Sequence, residues 1–211
     1  MDEIKQLIEG FARFKDRYFG KNPGLFQQLI QQGQSPKIMI VACCDARVDP
    51  AIITDCNPGD LFVVRNVANL VPPCEVGGGY HGTSAALEFA VCSLEVKHIV
   101  ILGHSQCGGI QALLSGINVQ RDGFIIPWMT IVEGARQKIM STLPHAPSAA
   151  RQHACEQAAI QVSLQNLLTF PWVRARVEQG VLQLHGWYFD IDRSELLSYN
   201  TATECFETLQ A

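Results

Sequence analysis

No apolar run in the 211 residues reaches the roughly 18 that a helix needs to cross a bilayer. The first ten residues carry Asp2, Glu3 and Glu9 where an export signal needs basic residues, and no apolar stretch follows them. A basic surplus is also missing: 16 lysines and arginines against 20 acids leave a net charge of −4. Gripping nucleic acid through its phosphates needs a basic face, so neither nucleic acid nor membrane is expected as a partner. Charged residues are only 17% and hydrophobic ones 47%, a balance that excludes a disordered, collagen-like or coiled-coil chain. Internal repeats, low-complexity tracts and a recognisable linker are absent. The expectation is one domain with a full core, cytoplasmic, although a removed transit peptide would leave no trace.

Eight cysteines are present, at 43, 44, 56, 74, 92, 107, 155 and 205. An even count in a secreted chain suggests bridges. Here the density is low and no export signal is seen, so free thiols and metal ligands are the better reading. Most would serve as small buried apolar residues.

Ile4, Leu7, Ile8, Phe11, Phe14 and Tyr18 recur at spacings of three and four and predict an amphipathic helix over residues 2–19. Asn22-Pro23 reads as the start of a second helix, 23–32, with Asn22 as its cap. Residues 1–35 thus form a helical arm ahead of an α/β domain over 36–211. An arm with that much apolar surface wants something to lie on, a partner subunit being one candidate. The runs 37–43, 61–65 and 97–103 are continuously apolar and read as strands buried on both faces, with 181–190 as a fourth. Helices are predicted near 83–94, 108–116, 127–141, 148–169 and 172–179, with Pro171 ending or kinking the chain between the last two. Strands alternating with helices give an α/β fold: a mostly parallel β-sheet core flanked by helices, preceded by the arm.

Two loops at carboxyl ends of strands carry unusual residues, Cys43-Cys44-Asp45-Ala46-Arg47 and His104-Ser105-Gln106-Cys107-Gly108-Gly109. Ligands bind at such strand ends in open α/β sheets, and the two loops meet if their strands are neighbours. His-x-x-Cys with one cysteine from the other loop makes a donor set that zinc prefers, and three protein ligands rather than four is the catalytic pattern. His-x-x-Cys alone is weak, since a buried, hydrogen-bonded histidine is commoner. Asp45 and Arg47, two residues apart, can pair and hold the acid ionised; a surface ion pair is the plainer reading.

The stretch Gly33-Gln-Ser-Pro-Lys-Ile-Met-Ile-Val-Ala-Cys-Cys-Asp-Ala-Arg-Val48 resembles the β-class carbonic anhydrases. So do Pro58 to Pro73, Ala85 to Ala90, Ile101 to Gly109 and Val162 to Arg174, in order along nearly the whole chain. The likeness is to the plant-type branch and its bacterial relatives. It implies reversible hydration of carbon dioxide to bicarbonate and a proton, by attack of zinc-bound hydroxide, in a homo-oligomer built from dimers. By position it makes Cys43, His104 and Cys107 the zinc ligands and Asp45 with Arg47 an orienting dyad. Gln34 becomes a donor to substrate, often across a subunit boundary. Phe62, Val67 and Phe89 become pocket residues, and Gly108 and Gly109 the glycines after the last ligand, leaving backbone N–H groups free to approach the site.

The sequence departs from that pattern in places. Cys44 and Ala46 stand where many members have Ser; Cys44 is not read as a ligand, because adjacent residues of an extended chain point to opposite sides. Phe89 replaces a frequent Tyr, and no histidine occupies the position some members use to shuttle protons. Ile40 stands where one subclass carries a Trp belonging to an inhibitory bicarbonate site, which places this chain in the other subclass. In the switched-off form of the family Asp45 itself would be a fourth ligand, an option left open for low pH. Arg65 and Asn66 are read as lining the pocket or as hydrogen-bonding the loop, and Glu88 as a supporting partner or, more simply, a member of a salt bridge. His81, His98, His145, His153 and His185 are read as surface or core, and Trp128, Trp172 and Trp187 as packing or interface residues. Rival readings are a carbon disulfide or carbonyl sulfide hydrolase with the same metal site, and an inactive bicarbonate-binding or scaffold subunit of a carbon-concentrating assembly. A thiol oxidoreductase on Cys43-Cys44 is a weak third, since that motif usually spaces its cysteines by two.

Overall fold

The apolar positions near the N-terminus lie on helix α1, Glu3–Lys15, which widens into a π-helical turn at Asp16–Lys21 before helix α2, Gly24–Gln32. The structure, a computed structural model, describes residues 3–21, 23–75, 77, 79–116 and 123–209. Asn22, expected to cap α2, lies outside these; Gly33 ends α2 in the left-handed region at φ 73°, its N–H bonded to the Leu29 carbonyl. The chain divides into two compact units, Met1–Ser35 and Pro36–Ala211. Within the first, Phe14, Tyr18, Phe19 and Phe26 gather with ring centroids 4.8–6.0 Å apart, while Leu7, Ile8 and Phe11 remain exposed.

The second unit is an α/β structure. In chain order it comprises β1 Ile38–Cys43, α3 Pro50–Ile53, β2 Leu61–Asn66, α4 Gly82–Glu88 and β3 His98–His104. Then follow α5 Gly108–Ser115, α6 Ile125–Met129, α7 Glu133–Thr142, α8 Ser148–Leu167, α9 Pro171–Glu178, β4 Gln183–Asp190, β5 Glu195–Asn200 and β6 Cys205–Thr208. The six strands are ordered β2-β1-β3-β4-β5-β6. The first four run parallel, in keeping with the continuous apolar runs of β1, β2 and β3, and the last two pairings are antiparallel. Pro171 opens α9 at its first position, where its missing N–H costs nothing, rather than kinking α8.

The core lies mainly on one sheet face. Met39 and Val41 of β1, Ile99 and Ile101 of β3, and Tyr188 of β4 pack against Leu87 of α4, Ile160 and Leu167 of α8, and Val173 of α9. Ile160 sits over two strand glycines, Gly103 and Gly186, whose missing side chains let α8 come close. On the opposite face Ile40, Ala42, Val100 and Leu102 are covered by Ile38, Leu61, Trp187, Phe189, Leu196 and, from a helix, Ile53. No helix among the described residues is long and apolar enough to cross a membrane.

Candidate metal centre

Because β1 and β3 are parallel neighbours, with Ala42 opposite Leu102, their carboxyl ends open side by side. Cys43 ends β1, His104 ends β3, and Cys107 caps α5 from an extended conformation (φ −67°, ψ 118°). The Cys43 and Cys107 sulfurs are 3.9 Å apart. One donor atom from each of Cys43, His104 and Cys107 falls within 4.8 Å of the others, all three residues being buried; among the described residues no other such group of His, Cys, Asp or Glu occurs. Cys44 is exposed.

The ring of His104 is held by its Nδ1, 2.8 Å from the Ser105 carbonyl. A carbonyl only accepts, so Nδ1 carries the proton and the Nε2 lone pair is left over. That Nε2 is buried without a hydrogen-bond partner. The Cys107 thiol bonds to Cys43 and, against burial, pulls it down to about 4; the same contact, with burial, pushes Cys107 upward. Two sulfurs in contact thus share one proton. Burial opposes a charge on His104, but the neighbouring Cys43 outweighs it and raises the ring's pKa. A cation placed between the three donors relieves all of these tensions at once.

Beside the donors, Asp45 is pinned by Arg47. Nε donates to Oδ1 at 2.9 Å, Nη2 to Oδ2 at 2.7 Å, and the Arg47 backbone N–H to Oδ1 at 3.0 Å. This fork drives Asp45 far below the usual carboxylate range, so it only accepts hydrogen bonds. Arg47 is braced in turn: Gln106 accepts from it through its side-chain and backbone oxygens, while Gln106 Nε2 donates to Asp192 at 2.7 and 2.8 Å. Arg65 clamps the loop from below, donating to the carbonyls of Cys43 and Asp45 and to the Asp49 carboxylate. Asn66 holds Leu70 through both its N–H and its carbonyl. Both residues therefore shape the loops around the centre. Glu156 accepts the Cys107 N–H at 2.8 Å.

Val67 packs in the same cluster as Cys43 and Cys107, and a Cβ on Gly109 would meet its Cγ1 at 2.8 Å. Gly108 opens α5 directly after the last cysteine. Phe62 and Phe89 stand elsewhere: their rings are 5.9 Å apart, and Phe62 pairs with Met39, four residues before Cys43 on β1. At ~3.3 Å per strand residue that is about 13 Å from the cysteine. Gln34 lies in the first unit. His153 meets the Tyr188 hydroxyl and His98 meets His185, so these histidines have partners that spacing along the chain did not reveal. The brace Gln106–Asp192 and the buried Glu156 were also not foreseen. The one sequence signal for Glu156 is a lone acid within the buried stripe Cys155, Ala159, Ile160, Ser163 and Leu167 of α8.

Comparison with known proteins agrees with this geometry. Residues 38–196 match the family model described as carbonic anhydrase. A carbonic anhydrase of Synechocystis sp. is 35% identical over 209 residues, covering 99% of this chain and 75% of the relative. One of Synechococcus elongatus is 32% identical over 195 residues, covering 92% and 71%. Among solved structures, the β-carbonic anhydrase CcaA superposes with a TM-score of 0.92 at 34% identity, covering 100% of this chain and 94% of that one. One of two tetrameric β-carbonic anhydrases of Sordaria macrospora does so at 0.80 and 29%, covering 97% and 96%. A fold with this sheet, this donor set and relatives of this likeness over its whole length leaves one assignment: the chain belongs to the β-class carbonic anhydrases.

Proposed function

We propose that this protein hydrates carbon dioxide reversibly to bicarbonate and a proton at a zinc ion held by Cys43, His104 and Cys107. The carrying observation is the donor set itself. Two thiolates bound tetrahedrally at ~2.3 Å would stand about 3.8 Å apart, against the 3.9 Å found. The partnerless Nε2 of His104 supplies the third donor, and the ring's other nitrogen is fixed on a carbonyl, as metal-bound histidines require. Zinc, when bound, supplies a Lewis acid that makes a water molecule nucleophilic near neutral pH.

The chain's own residues do the rest. Asp45, kept ionised and aimed by Arg47, accepts the hydrogen bond of the attacking water and orients it. Carbon dioxide offers no charge to grip, so an apolar wall and a single donor suit it. Val67 supplies wall at the centre of its own protomer. Phe62, level with Met39 and so about 13 Å down the strand from Cys43, and Phe89 beside it supply wall to the pocket of a second copy in a homodimer; Gln34 is the donor that the family likeness assigns. The exposed apolar residues of α1 support such an assembly, as do the tetrameric relatives.

Zinc content and hydration rate, measured together on the native protein and on Cys107→Ser, test the reading. Loss of both in the variant is the expected result. Metal retained at full stoichiometry would overturn the ligand assignment.

A further inference from the structure

Glu156 is buried to 3% exposure, and neither the metal ligands nor the dyad accounts for it. Its carboxylate is ringed by donors. Oε1 accepts from the Cys107 N–H at 2.8 Å and from Gln152 Nε2 at 2.9 Å, and Oε2 accepts from the Tyr188 hydroxyl at 2.8 Å. Tyr188 is fully buried, and burial with the neighbouring Glu156 pushes its hydroxyl well above the ordinary tyrosine range, so the proton stays on oxygen. That one proton goes to the carboxylate. His153, whose Nδ1 lies 3.0 Å from the same hydroxyl, must therefore donate. Its Nε2 then accepts from Gln157 Nε2 at 3.1 Å. Every donor in this chain points inward, from exposed His153 through Tyr188 to Glu156, whose carboxylate also holds one backbone N–H.

That N–H belongs to Cys107, the residue that caps α5 and carries a sulfur of the donor set. A helix cannot satisfy the N–H groups of its own first turn. A side chain 49 residues later in the chain takes over this one and so fixes the Cys107 peptide plane and the direction of its Cβ. Isolated carboxylates are costly to bury, and an apolar residue would fill the same space more cheaply. We infer that Glu156 is a positioning residue of the metal centre, aiming the Cys107 sulfur by holding its peptide N–H, with Tyr188, Gln152 and His153 holding the carboxylate in turn. The inference rests on the reading of Cys43, His104 and Cys107 as zinc ligands.

Glu156→Gln keeps the shape and one acceptor oxygen but places an amide against the Tyr188 hydroxyl. Tyr188→Phe deletes one donor and leaves the carboxylate in place. His153→Ala removes the outermost link. Each is compared with the native protein and with Cys107→Ser in two measurements: zinc affinity by competition with a chromogenic chelator, and the thiolate-to-cobalt charge-transfer band of the cobalt-substituted protein. Zinc affinity should fall roughly 10–100-fold in Glu156→Gln, less in Tyr188→Phe and least in His153→Ala, with the band displaced in the same order. Mere core packing would lower the melting temperature of the metal-free protein and leave affinity and band unchanged; that result would overturn the inference. If Glu156→Gln does not fold, Tyr188→Phe decides alone by the same two outcomes. Equal zinc affinity in the native protein and Cys107→Ser would overturn the ligand reading instead.

Discussion

Replacing Gly103 with alanine tests how closely the metal centre depends on the seating of α8. Gly103 immediately precedes His104 in β3. A Cβ there would lie 2.7 Å from Ile160 Cδ1 and 2.8 Å from its Cγ1, about 1 Å inside ordinary carbon contact. Ile160 is fully buried and also rides over Gly186 of the adjoining strand, where a Cβ would meet its Cγ2 at 2.8 Å. It has no open side to move into. Overpacking of this kind costs about 1–3 kcal/mol, or roughly 2–12 °C in melting temperature for a chain of this size. Ile160→Ala alone should cost about 2–5 kcal/mol through the cavity it leaves. In the double variant the new methyl partly refills that cavity, so the combined loss should fall short of the sum by about 1–3 kcal/mol. Because strain at Gly103 is passed to the next residue, zinc affinity should drop in Gly103→Ala and recover in the double variant. Thermal melts at matched protein and zinc concentrations read the first effect, since metal and assembly both shift the transition. Losses that add to within about 0.5 kcal/mol would show that Ile160 and Gly103 do not meet as described.

Arg47→Ala should lower stability near neutral pH by under ~1 kcal/mol, because the Asp45–Arg47 pair is partly exposed, yet cut hydration strongly; melts beside stopped-flow rates separate the two. Its stabilising share is present above the ordinary aspartate pKa of about 3.9 and disappears as pH falls toward the depressed folded value, so no loss attributable to it is expected between neutral and weakly acidic pH. His185 behaves in a related way: burial and His98 lower its pKa, so the unfolded chain protonates first and stability falls as pH drops below about 6.5 toward the folded value. His185→Gln should flatten that acid limb in a series of melts against pH. Gly109→Ala should push Val67 aside and reduce the hydration rate while zinc content stays unchanged. Two thiolate ligands raise the pKa of a metal-held water relative to three imidazoles, so hydration should climb above neutral pH; a flat rate from about pH 6 to about pH 9 would refute this.

The parallel strands were legible because burial on both faces leaves unbroken apolar runs such as Ile38–Cys43. The donor loops were legible because Cys, His and Asp-x-Arg are rare at strand ends. Strands β5 and β6 were not: Glu195–Asn200 and Cys205–Thr208 lie toward the sheet's edge, half-buried or exposed, and show neither an apolar run nor clean alternation. Helix α3 is four residues long, too short for periodicity, though Asp49 ahead of Pro50 caps it by accepting from the Ala51 and Ile52 N–H groups. The pocket residues were read as one group; Val67 packs with the two cysteines, whereas Phe62 meets Phe89 and packs against the main core, a separation that no local sequence pattern encodes. Glu156 and Asp192 act through partners far away in sequence, and no local pattern encodes such pairings.

Arg65 gives the chemistry an unexpected dependence. It projects from β2, the outermost strand on its side of the sheet, yet it tethers the carbonyls of both Cys43 and Asp45. Border strands are the first to fray when a sheet breathes. Catalytic competence should therefore fade with the peeling of this margin, at temperatures where the interior of the protein is still intact.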